Sequence, residues 1–191
     1  MSLGPAIGVI ELRSIARGYV TLDAASKRAV VVVLRAEPIS PGKYWIAFHG
    51  GEAEVEEALQ AAVDASGDSR IDHTLLAAAH PALIHAIATN VVPRPELSSV
   101  GALELGSIAS TVRATDAALK AAEVTLVDLH LARGIGGKGY VVVSGLLSDV
   151  EAAIAAGLDA AGAGWLVGSE IVANPDEATH AAVGTRHELS R

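Results

Sequence analysis

From Ile7 to Leu12 the chain is apolar and β-branched apart from Glu11, a weak alternation that predicts a strand. Ser14 stands where a helix N-cap would, ahead of an Ala-rich segment whose last turn carries Lys27 and Arg28, cations suited to the negative end of a helix. A second strand is predicted at Val30 to Glu37, then a short Gly/Pro loop, then a third strand at Tyr44 to His49. Glu52 to Ser66 predicts a helix with acidic residues in its first turn. Ile71 to Ala77 predicts a last strand, followed by a short helix opened by Pro81.

The same series then begins again. "IGVIELRSIARGYVTLDAASKRAVVVVL" from Ile7 returns as "VGALELGSIASTVRATDAALKAAEVTLV" from Val100, an offset of about 93 residues. Gly8, Glu11, Leu12, Ser14, Asp23 and Lys27 meet identical residues at Gly101, Glu104, Leu105, Ser107, Asp116 and Lys120. After a two-residue insertion, "PGKYWIAFHG" faces "GGKGYVVVSG". The second copy therefore predicts strands at Val124 to Arg133, Tyr140 to Ser144 and Trp165 to Val172, and helices at Ser148 to Ala161 and from Pro175. Two copies are too few for a solenoid, so the repeat predicts two compact domains, 1–92 and 93–191, joined by the proline-bearing linker Val91 to Ser99. Strand–helix–strand–strand–helix–strand is the ferredoxin-like order, an α+β class with a four-stranded antiparallel sheet and flanking helices in each domain. One sheet face would stay uncovered in an isolated unit, so burial against the other copy or another subunit is expected.

Composition narrows the function. Half of the 191 residues are hydrophobic, mostly Ala and Val, which suits close backbone packing and extensive subunit contacts. A formal charge of −8 with no basic run argues against nucleic acid. With no cysteine there is no disulfide framework, no thiolate zinc site and no cysteine-ligated cluster. The first residues lack the pattern of a signal peptide, and the apolar runs are too short for a membrane span. A cytoplasmic protein is expected.

Candidate chemistry is thin. Gly134-x-Gly136-x-x-Gly139 spells a dinucleotide fingerprint, but it runs into the β-branched Tyr140-Val141-Val142-Val143 instead of opening a helix. The first copy's "EPISPGKY" occupies the same place without the spelling, so the match is incidental. His80 and His85 are five apart, where a helical zinc pair needs four. His49 and His130 stand at non-equivalent positions of the two copies. Glu54, Glu56 and Glu57 read as solvated residues at a helix start, and Ser144-Gly145 lacks the frame of a nucleophile elbow. Duplication of Glu11 with Glu104, and of Asp23 with Asp116, points to shared architecture. No catalytic residue, metal site or enzyme activity is expected.

The words "GVIELRSIARG", "DAASKRA" and "PGKYWIAFHGGEAEVEEAL", with their counterparts "GALELGSIAS", "DAALKAAEVTLV" and "GIGGKGYVVVSGLLSDVEAA", resemble the shell proteins of bacterial microcompartments. The likeness is to the tandem-domain kind, as found in propanediol-utilisation compartments, and it covers roughly residues 6 to 183. It implies a homotrimer of two-domain chains, a pseudohexagonal tile that packs edge to edge with other shell proteins around encapsulated enzymes. It implies a central pore for small polar metabolites, lined by Ile39, Ser40, Pro41 and Gly42 of the first copy and Ile135, Gly136 and Gly137 of the second. It places Lys27 and Lys120 at the tile edge, where His80 and Asn174 stand near the position of a usual arginine and Arg94 lies in the linker. In the propanediol type a cysteine that ligates an iron–sulfur cluster occupies the position of Ser40, and serine offers no thiolate. No cofactor is therefore expected. A tandem ferredoxin-like regulatory module that binds a small effector is the alternative, distinguished by saturable effector stabilisation without sheet formation.

Overall fold

The computed structural model describes residues 4–92 and 98–183, so Pro93 to Leu97 of the linker, including Arg94, lie outside the described residues. The first copy runs β1 (Ala6–Leu12), α1 (Ile15–Arg28), β2 (Val32–Ile39), β3 (Lys43–Gly50), α2 (Glu52–Ser66), β4 (Arg70–Leu76) and α3 (Pro81–Thr89). The second runs β5 (Ser99–Leu105), α4 (Ile108–Ala121), β6 (Thr125–Leu131), β7 (Gly139–Gly145), α5 (Leu147–Ala161), β8 (Leu166–Val172) and α6 (Glu177–Ala182). Each copy forms an antiparallel sheet, ordered β2-β3-β1-β4 and β6-β7-β5-β8, the ferredoxin-like arrangement.

Ser14 and Ser107 cap α1 and α4, each hydroxyl accepting from the backbone N–H three residues on. The last helix departs from expectation: α6 starts at Glu177 with Asp176 as its cap, because the Asp176 carboxylate accepts from Thr179 N and Pro175 falls outside the first turn. Gly8 and Gly101, one in each central strand, leave no room for a side chain. A Cβ on Gly8 would sit 2.5 Å from the Phe48 ring, and one on Gly101 2.6 Å from Ile154.

β1 is buried along its whole length, on both faces. Ala6, Ile10 and Leu12 face a core shared with Phe48 and the helix α2, through Val55, Ala58 and Leu59. Ile7 and Val9 face the other way, into a core shared with α3 and with the second copy. The covering element is α4, which lies between its own sheet and strands β1 and β4 of the first copy. The face that an isolated unit would leave open is thus closed within the chain for the first sheet. Among the described residues the second sheet has no such cover.

Candidate functional site

The hairpin loops that the repeat makes equivalent, β2–β3 and β6–β7, meet in the structure. Gly137 lies against the first loop, where a Cβ would approach Ser40 O and Lys43 Nζ at 3.0 Å. Its carbonyl accepts from Lys43 Nζ at 3.4 Å. Gly134, Gly136 and Gly137 all have positive φ (71°, 69° and 82°), a left-handed backbone that other residues adopt at a cost. Glycine is wanted there first for the turn, and at Gly137 also for the close approach. Arg133 Nη2 donates to Glu37 Oε2 across the same junction. Together these segments border a shallow cavity of about 510 Å³ lined by Glu37 to Gly42, Arg133 and Gly134.

Of the loop residues singled out from the sequence, Ser40, Pro41, Gly42 and Gly136 are exposed and Ile135 is half-buried, whereas Ile39 and Gly137 are buried. Ile39 belongs to the core shared by the two copies. The open rim is therefore the Ser40 hydroxyl, the Pro41 ring and glycine backbone.

The duplicated glutamates explain how the loops are anchored. Glu11 and Glu104 end the central strands one position before the cross-strand partners of Tyr44 and Gly139. There they meet the lysines that close the loops: Glu11 Oε1 accepts from Lys43 at 2.8 Å, and Glu104 pairs with Lys138. Glu11 is fully buried, and its second oxygen accepts from Ile108 N at the start of α4, also at 2.8 Å. Burial pushes its carboxyl above the usual glutamate range, although the Lys43 ammonium and the Ile108 N–H pull it down. The carboxylate thus fastens loop, strand and second domain at one point. Nearby, Asp72 of β4 accepts from Ser107 Oγ at 2.6 Å and from the Arg113 guanidinium at 3.1 Å, and Asp116 accepts from His80 N at 2.7 Å.

The remaining candidates are structural. His80 caps α3 through Nδ1, and His130 stacks on Tyr140 with ring centroids 5.3 Å apart. His49 is buried with neither ring nitrogen partnered, and burial lowers its pKa. Ser144 Oγ donates to Ser99 O and accepts from Ser98 N. Glu57 bridges to Arg28 at 3.2 Å; Lys27 and Lys120 bond Asp23 and Asp116 one turn back. Among the described residues no group of three or more His, Asp or Glu could hold a metal, and no helix is long and apolar enough to cross a membrane. Sequence reasoning missed Glu37 with Arg133, and the pairing of Glu11 with Lys43. The second was within reach, since Lys43 and Lys138 repeat at matching positions just as the glutamates do.

Comparison with known proteins gives one consistent result. The BMC domain model matches residues 6–81 and again 99–175. The chain is 38% identical over 177 residues to the bacterial microcompartment shell protein PduT of Citrobacter freundii, covering 92% of this chain and 95% of that one. Among solved structures, a microcompartment protein from Desulfitobacterium hafniense superposes with a TM-score of 0.81 at 35% identity, over 92% of this chain and 98% of its own. A fused permuted hexameric shell protein from the RMM microcompartment superposes with a TM-score of 0.62 at 27% identity, over 82% and 84%.

Proposed function

The chain belongs to the BMC-domain family, the shell proteins of bacterial microcompartments, and from that premise we propose that it forms a homotrimeric, pseudohexagonal tile with a central pore. It is a structural component of the compartment shell and not an enzyme, and it assembles with copies of itself and with other shell proteins.

The observation that supports the trimer is the unequal burial of the two duplicated helices. α4, docked on the first sheet, buries ten residues; α1, its equivalent, buries only Gly18, Thr21 and Ala25. A helix that the fold covers in one copy and leaves bare in the other wants a neighbour of the same kind. Docking α1 of one chain on the second sheet of the next repeats the contact already made inside the chain. A closed ring of three chains leaves no such face open.

In that ring the paired loops of each chain converge on the axis, and Ser40, Pro41, Gly42 and Gly136 form the rim. Hydroxyls and backbone groups suit passage of a small polar metabolite. An iron–sulfur cluster does not fit this rim: Ser40 has no thiolate, and the chain contains no cysteine. Lys27 and Lys120 serve the tile edge, facing neighbouring tiles, and encapsulated enzymes lie within the shell.

The test is sedimentation of the purified chain with transport through reconstituted shells. A trimer is expected, and Ser40→Trp should obstruct metabolite passage while leaving assembly intact. A monomer at high concentration defeats the tile, and unchanged transport removes Ser40 from the pore.

A further inference from the structure

The shallow cavity beside the rim is lined by one acid and one base, and they are bonded to each other. Its lining runs from Glu37 to Gly42 and takes in Arg133 and Gly134, so the loop that carries Ser40 and the contact of Arg133 with Glu37 border the same space. Glu37 belongs to the first copy and Arg133 to the second, so the bond crosses the seam between them. The Arg133 side chain is 58% exposed there and that of Glu37 28%. The lysines that close the two loops are also matched singly, Lys43 to Glu11 and Lys138 to Glu104. The charges around the junction therefore cancel.

The repeat does not provide this pair twice. Glu37 lies opposite Trp45, which lies opposite Glu11; His130 lies opposite Tyr140, which lies opposite Glu104. Glu37 and His130 are thus equivalent positions, and the second copy has no carboxylate there. The first loop has no basic residue from Ile39 to Gly42, whereas the second, two residues longer, carries Arg133. The backbone is fixed on both sides of that arginine. Ala132 before it is buried with a φ of 65°, a left-handed conformation that costs a residue with a Cβ, and Gly134 after it has a φ of 71°. The His130 ring, stacked on Tyr140, donates through Nε2 to the Arg133 carbonyl. The longer loop is thus anchored where it delivers a guanidinium to a carboxylate that only the first copy supplies.

We propose that Glu37 and Arg133 set the charge preference of the pore, and that by cancelling each other they select an uncharged polar metabolite of small polyol character. This rests on the tile reading, which brings three such pairs around one axis. A polyol can exchange its water for the Ser40 hydroxyl and the glycine backbone, which donate and accept without charge. An ion of either sign meets no spare counter-charge, because guanidinium and carboxylate already satisfy one another, and it loses hydration without compensation. The formal charge of −8 on each chain adds to the barrier for an anion.

The experiment follows influx of three solutes of similar size into shells reconstituted with the full chain: neutral glycerol, the anion glycerate and the cation serinol. Shells carrying Ser40→Trp give the background. Glycerol should enter parent shells at least about 10-fold faster than either ion, a low bound on the effect of desolvating a charge. Ion influx into each variant is read as a ratio to glycerol in the same shells, so a loop that merely widens or closes shifts both ions together. Glu37→Gln keeps an acceptor for Arg133 but unbalances its charge. The glycerate ratio should then rise about 10-fold, the low end of electrostatic steering, and the gain should vanish at about 1 M salt, where screening reaches about 3 Å. Arg133→Gln leaves the carboxylate unbalanced instead, and should raise the serinol ratio and not that of glycerate. Parent shells that admit either ion as fast as glycerol, or variants whose two ratios stay at the parent's values or move together, overturn the inference. Parent shells that match the Ser40→Trp background for all three solutes defeat the pore reading instead.

Discussion

Replacing Glu11 by alanine removes a group that ties the first loop, the central strand and the second domain together. Its carboxylate is fully buried and accepts from Lys43 Nζ and Ile108 N, each at 2.8 Å. Without it the Lys43 ammonium, on a side chain only 20% exposed, loses its counter-charge, and the first amide of α4 loses its acceptor. Breaking a buried ion pair from one side costs about 3–5 kcal/mol. The lower end applies here, because Lys43 keeps the Gly137 carbonyl within reach at 3.4 Å. A second expectation follows from burial itself: removing the pair as a whole also removes the desolvation of both charges, whereas breaking it from one side leaves the ammonium uncompensated. Removing both charges, as Glu11→Leu with Lys43→Met, should then cost less than Glu11→Ala alone. Urea unfolding at fixed protein concentration, followed by fluorescence of the buried Trp45 on the paired strand, gives all three values. A loss under about 1 kcal/mol for Glu11→Ala, or a double variant that loses as much as Glu11→Ala, would refute the reasoning.

Two further outcomes follow from named contacts. Burial lowers the pKa of His49, so below the ordinary histidine value of about 6.5 the unfolded chain takes up a proton that the native chain refuses, and stability falls as pH drops. His49→Leu should flatten that acid-side slope in urea midpoints measured from neutral pH downward; since His73 is also lowered, some slope should remain, and an unchanged slope would clear His49. The two helix caps should be unequal: Ser14→Ala loses one hydrogen bond on an exposed turn, about 1 kcal/mol, whereas Ser107→Ala also strips Asp72 of a donor at a buried seam, about 2 kcal/mol or more. Equal losses on thermal melting would mean that the seam bond contributes nothing.

The fold was legible because the chain states it twice. Each weak local signal, such as the alternation in Ile7 to Leu12 or the cap at Ser14, is confirmed by an identical residue in the second copy, and sheet order follows from element order. The loop contact was legible only in part. The repeat of Lys43 with Lys138 beside that of Glu11 with Glu104 points to the pair, but "EPISPGKY" alone does not say that its lysine reaches back 32 residues, since a cross-strand ion pair depends on register. The second copy's last helix shows the same limit from the other side: Pro175 marks its neighbourhood, but the cap goes to Asp176, whose carboxylate reaches Thr179 N. The seam was invisible for a stronger reason. Searching a duplication for matching letters finds what the copies share and not which partner each residue meets: the duplicated Glu11, Ser107 and Asp116 all bond across the seam, to Ile108 N, Asp72 and His80 N. Arg113 and Asp72 add an ion pair at positions where the repeat has Val20 and Gly168, and His49 is buried where the other copy has Ser144. In a duplicated chain that closes on itself, identity between the copies encodes the unit and part of the seam. The differences add contacts, such as Arg113 with Asp72, that the repeat does not provide twice.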